Sequence, residues 1–119
     1  MSFTLNSRTV GDVHVLDLSG RVTVGEPVQL LREAVRRCSE EGNCRFVLNL
    51  EDISYIDSCG LGELVATYTS ACNRGGSVNL LNPSKRTMEL LELTRLSEVF
   101  DIFNDESKAV RALSGKTDL

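Results

Sequence analysis

The run Phe46-Val47-Leu48-Asn49-Leu50 narrows the possible folds more than any other stretch of this chain. Its nearly continuous apolar character is that of a central strand covered on both faces or closely flanked by other elements. Helical patterns stand on either side of it. Before it, Val28, Leu31, Val35 and Cys38 recur at helical spacing, with Leu30 and Ala34 widening the stripe. Pro27 falls in the first turn, where its missing N–H does no harm, and Gly42-Asn43 makes a suitable C-cap after Glu41. After it, a second helix is expected from Ser58 to Arg74, with Leu61, Leu64, Val65 and Tyr68 as its apolar face and Gly75-Gly76 as its stop.

The remaining segments extend the alternation. Phe3 to Arg8 and Asp12 to Ser19 are β-rich and read as a hairpin around Val10-Gly11-Asp12. Val78 to Leu81 is a further strand, and Asn82-Pro83-Ser84 supplies a turn and cap before a third helix carrying Met88, Leu91 and Leu96 or its neighbours. Val99 to Phe103 alternates like a strand, and Asp105 to Leu113 reads as a last helix. Two strands followed by helix and strand in turn predict an α/β domain with a mixed sheet of four or five strands, antiparallel at its start. A length of 119 residues fits one domain, taken as 1–113, with a frayed tail from Ser114 to Leu119.

Composition removes several function classes. The 13 Lys+Arg stand against 17 Asp+Glu, a net charge of −4, so no excess of cations exists to displace counterions from a nucleic acid, and no direct nucleic-acid binding is expected. Apolar runs are too short to span a bilayer, and Met1-Ser2-Phe3-Thr4 lacks the pattern of a signal peptide, so the expected location is the cytoplasm without membrane insertion. Cys38, Cys44, Cys59 and Cys72 lack metal-ligand spacing and are expected as buried or half-buried free thiols; no metal site is expected.

The chemistry concentrates in Asp57-Ser58-Cys59-Gly60-Leu61-Gly62. Two glycines in the first turn of a helix weaken it by about 1 kcal/mol each relative to alanine. A serine nucleophile would need a base and an orienting group, and the sole histidine, His14, lies in an early strand, so a hydrolase is a poor reading. Cys59 at a helix N-terminus is a candidate redox thiol, although a small packed side chain is the simpler expectation. The Gly60-Leu-Gly62 pair reaches Val65 where a dinucleotide fingerprint has its third glycine, and no phosphate-loop motif exists, so no nucleotide cofactor is expected. Two readings remain. In one, Asp57 or Ser58 caps the helix and the glycines let it pack closely on the sheet. In the other, Ser58 is a modifiable hydroxyl, because a helix N-terminus accommodates a phosphate while the added charge disrupts a flat interface with a partner.

Three segments resemble the STAS domain, and specifically the stand-alone bacterial anti-sigma factor antagonists: Leu18-Ser19-Gly20-Arg21-Val22, Phe46 to Ile53, and Tyr55-Ile-Asp-Ser-Cys-Gly-Leu-Gly62. The resemblance implies a mixed sheet with helices largely on one side. It also implies that Ser58 is phosphorylated by an anti-sigma factor that is a serine kinase, that a phosphatase reverses this, and that the free protein is a monomer. Thr23, Asp57, Ser58, Cys59, Gly60, Leu61 and Gly62 would form the partner-binding surface, Asp57 shaping the loop and Leu61 starting the packed helix. Thr23 stands where the family usually carries an acidic residue, and Cys59 where serine or another small residue is usual. No catalytic residue and no cofactor is implied, any ATP belonging to the kinase. STAS relatives also act as interaction subunits in stress-signalling assemblies or lipid-transport complexes, in which the serine need not turn over.

Overall fold

Gly11 and Asp12 reverse the chain between two antiparallel strands, β1 (Thr4–Val10) and β2 (Val13–Val22), with Val10 opposite Val13. The computed structural model describes residues 2–114. After β2 come α1 (Glu26–Glu40), β3 (Arg45–Ile56), α2 (Ser58–Asn73), β4 (Ser77–Leu81), α3 (Lys85–Leu93), a short 3₁₀ turn (Leu96–Glu98), β5 (Asp101–Phe103) and α4 (Glu106–Ser114). The five strands lie in the order of the chain, β1-β2-β3-β4-β5, and every pair after the first hairpin is parallel. The expected α/β class and mixed sheet are thus observed, with five strands.

Order dictates the layering. Parallel strands added one after another in the same direction through right-handed crossovers place every connecting helix on one face. Accordingly α1, α2 and α3 cover the face that presents Leu16, Phe46, Leu48, Leu50 and Leu80. Only α4 follows the last strand and is free to cross, and it covers the other face through Ala109, Val110 and Leu113 against Val13, Val15, Val47 and Leu81. This explains the apolar run in β3: Phe46, Leu48 and Leu50 face the three-helix side while Val47 faces α4.

β2 and β3 are longer than the sequence pattern predicts. Between them the register shifts twice, from Asp17↔Asn49 to Ser19↔Asp52 and from Gly20↔Ile53 to Arg21↔Tyr55, each time with one extra residue in β3. Every shift reverses the side-chain parity, so Leu50, Ile53 and Ile56 all reach the same core despite their spacing of three. A period-two pattern ends at Leu50, whereas the strand does not.

Two further boundaries and one helix face differ from expectation. Leu96 lies beyond the third helix, because the Thr94 hydroxyl donates to the carbonyls of Leu90 (2.8 Å) and Leu91 (3.2 Å), and Arg95 takes a left-handed conformation. The buried face of α2 is Gly60, Glu63, Leu64, Thr67 and Ala71, with Leu61, Val65 and Tyr68 on its flanks. Small side chains decide this, since they let the helix approach its neighbours closely. Ser114, expected to begin the frayed tail, is the last residue of α4; the rest of that tail, 115–119, lies outside the described residues.

A polar cluster holds α4 in place. Arg8 on β1 donates from Nε to Asp17 of β2 (2.7 Å) and from both terminal nitrogens to Glu106 of α4 (2.6 and 2.9 Å), while Asn49 of β3 donates to Asp17 (2.8 Å). The guanidinium holds both carboxyls below their usual range, through direct hydrogen bonds above all.

Candidate functional site

In a parallel sheet the loops at the carboxyl ends of the strands are where function gathers. Here the loops after β2 and β3 are tied into one structure by Asp57. Its backbone N–H donates to the Val22 carbonyl (3.2 Å), its Oδ2 accepts from the Val24 N–H (3.0 Å), and its Oδ1 accepts from the Gly60 N–H (2.8 Å). Asp57 is therefore the N-cap of α2 and the clasp between two loops. Donors aimed at a carboxylate favour its charged form, so Asp57 titrates below the usual range, the Gly60 N–H contributing most and Val24 next. Thr23, half-buried, lies between Val22 and Val24, the two residues whose backbone groups Asp57 engages.

The two glycines differ in what they do. Gly60 is buried against β2, and a Cβ there would overlap the carbonyl of Val22. Close approach is what the glycine permits. Gly62 is exposed, and a Cβ there would meet nothing within 4 Å. Packing accounts for the first glycine and not the second.

Ser58, the first residue of α2, and Cys59 are both exposed, so the expectation of a packed Cys59 does not hold. Their surroundings are apolar. On one side a hollow of about 500 Å³ runs between α2 and α3, lined by Tyr55, Ser58, Leu61, Arg86, Leu90 and Leu93 among others. On the other, a hollow of about 480 Å³ lies between α1 and α2, bounded by Val24, Val28, Cys59, Gly62 and Glu63. Leu93 is 83% exposed and Val24 67%, so each hollow carries an open apolar side chain at its edge. Arg21 stacks over the Tyr55 ring at 5.1 Å from its centroid, holding the ring at the rim.

The residues expected to form the partner surface, Thr23 and Asp57 to Gly62, gather at one end of the sheet. Gly60, however, is not surface: it is buried against the Val22 carbonyl, where the close approach of α2 to β2 leaves no room for a partner. Missing from that expectation were Arg86, Leu90 and Leu93 of α3. Leu90-Leu91-Glu92-Leu93 held a signal for them: one helix face cannot bury all three leucines, and only Leu91 is buried.

The other sequence candidates lie elsewhere. His14 pairs in register with Phe46 at the start of β3, the end of the sheet opposite Ser58, so it provides no base there. It is buried, its ring 5.5 Å from that of Phe46 and its Nε2 without a hydrogen-bond partner among the described residues. Cys38 and Cys44 are buried as expected, but Cys72, like Cys59, is exposed. Among the described residues no group of His, Cys, Asp and Glu is placed to hold a metal, and no helix is long and apolar enough to cross a membrane.

The five-stranded sheet with its clasped serine loop belongs to a known class: the STAS domain family model matches residues 4–109, and the chain belongs to that family. Among its relatives, the anti-sigma-B factor antagonist of Bacillus subtilis is 37% identical over 92 residues, covering 76% of this chain and 81% of the relative. A Thermotoga maritima crystal structure superimposes with a TM-score of 0.85 at 26% identity, over 92% of this chain and 94% of that one. The anti-sigma factor antagonist SpoIIAA in its unphosphorylated form shares the fold, with a TM-score of 0.79 at 21% identity over 96% of this chain and 97% of that one.

Proposed function

We propose that this chain is an anti-sigma factor antagonist that binds an anti-sigma factor with serine-kinase activity, thereby releasing a sigma factor, and is switched off by phosphorylation of Ser58. The observation that carries this reading is the exposed Ser58 at the tip of α2, between two apolar hollows and close to a glycine that packing does not require. Gly62 weakens the helix by about 1 kcal/mol relative to alanine. A return for that cost exists if the surface must stay low for a partner to reach Ser58. The name of the Bacillus subtilis relative, an anti-sigma-B factor antagonist, supports the antagonist part of this reading.

Physical chemistry supplies the switch. A phosphate carries about −1.5 to −2 charges at neutral pH. On the first residue of α2 it would lie at the positive end of the helix dipole, so the domain itself has little need to rearrange. The partner bears the consequence, since the charge arrives in the middle of the surface formed by Val24, Leu61, Tyr55 and Leu93, where it must be desolvated. A phosphatase removing the group would restore binding. In this role the chain performs no catalysis; its hydroxyl is the kinase's substrate.

The test incubates the kinase-type anti-sigma factor and ATP with the wild type, Ser58→Ala and Gly62→Leu, followed by intact mass. One phosphate on the wild type and none on Ser58→Ala is expected, with Gly62→Leu folded but phosphorylated far more slowly. Phosphate on Ser58→Ala, or an unimpaired Gly62→Leu, would refute the assignment of this surface.

A further inference from the structure

Further down the seam between α1 and α2, away from Ser58, lies a second hollow of about 240 Å³, and its lining is basic in a chain whose net charge is −4. Arg32, Arg36 and Arg74 surround it, with Val35 and Ala66 among its apolar walls. Arg32 is engaged: its Nε and Nη2 both donate to Glu63 Oε1, at 3.3 and 2.9 Å, so the one carboxylate in the hollow is already neutralised. Arg36 and Arg74 make no ion pair or side-chain hydrogen bond among the described residues. The lining also includes Ser39, 8% exposed, whose hydroxyl has no hydrogen-bond partner within the described chain yet is not sealed from the hollow.

From these features we infer that the hollow is a binding site for a phosphate dianion, free or as the monoester of a small molecule. Two unpaired guanidinium charges match the charge of the dianion, and guanidinium donors fit its oxygens two at a time. Ser39, and Ser70 on the facing helix, add hydroxyl donors from both walls. The volume suits one phosphate group with a small substituent. Because the site bridges α1 and α2, its occupant would brace the two helices that bound the hollow beside Cys59 and Gly62.

The experiment is an amide and arginine-Nε NMR titration of the whole chain with inorganic phosphate and, separately, glycerol 3-phosphate, against sodium chloride at matched ionic strength. Saturable shifts confined to Ser39, Thr67, Ser70, Arg36 and Arg74 are expected with phosphate and absent with chloride. Tighter binding of the ester would mark a phosphorylated small molecule as the ligand, and tighter binding of inorganic phosphate the free anion. The Arg36→Gln, Arg74→Gln double variant should weaken binding at least tenfold, and Arg36→Lys, Arg74→Lys, which keeps the charge, should weaken it several-fold through lost two-point geometry. Shifts that follow ionic strength alone, or equal affinity in every variant, would overturn the site. Neither result depends on Ser58 or on its kinase.

Discussion

Two glycines two residues apart make opposite predictions. At Gly60 an added methyl collides with the backbone of Val22, which cannot move without disturbing the end of β2, so Gly60→Ala should destabilise by about 1–3 kcal/mol. At Gly62 the same methyl meets open space and only restricts the unfolded chain, so Gly62→Ala should stabilise by about 0.5–1 kcal/mol. Urea unfolding of the two variants checks both signs, and a destabilising Gly62→Ala would remove the argument that this glycine serves a partner. The motif was legible as letters; the division of labour was not. Whether a glycine is needed for packing depends on what lies opposite it, and the Val22 carbonyl comes from a strand more than thirty positions earlier in the chain.

Elements were legible in proportion to how local their causes are. The stripe Val28, Leu31, Val35 and Cys38 identified α1 because one face of one helix carries it, and all four are buried. The continuation of β3 to Ile56 was hidden, since the register shifts that turn Ile53 and Ile56 inward belong to its pairing with β2. The attachment of α4 was hidden for the same reason: Arg8, Asp17 and Glu106 meet only in three dimensions. That cluster predicts a pH dependence. Arg8 depresses the folded-state pKa of both carboxyls, so its stabilisation is fully present above their unfolded values, near pH 4, and is lost as pH falls through the lower folded values. Arg8→Gln should therefore be less stable than the wild type at pH 7, with a gap that narrows as the pH falls below about 4. Thermal unfolding across that range is the measurement; a gap independent of pH would show that the ion pairs contribute nothing. Asp57 works at the same scale. Asp57→Ala releases Val24 and Gly60 together and should lower the melting temperature, and hydrogen exchange should quicken at both amides, whereas loss of a helix cap alone would affect only Gly60.

At the scale of the whole molecule, sequential parallel strands put α1, α2 and α3 on one face and bring the β2 and β3 loops together at one end. The α/β class and the serine loop were readable from the chain, but the breadth of the exposed surface was not, because Leu93 and Arg86 reach it only where α3 faces α2 across the hollow. Under the proposed function, a domain with a serine at its tip and apolar ground around it is recognised in one chemical state and refused in another. The most direct measurement is titration calorimetry of the anti-sigma factor kinase with the unmodified chain and with the chain carrying phosphoserine at position 58. The account predicts at least a hundredfold weaker binding of the phosphorylated form, with both forms keeping the same fold by amide NMR. Equal affinity for the two forms would contradict it.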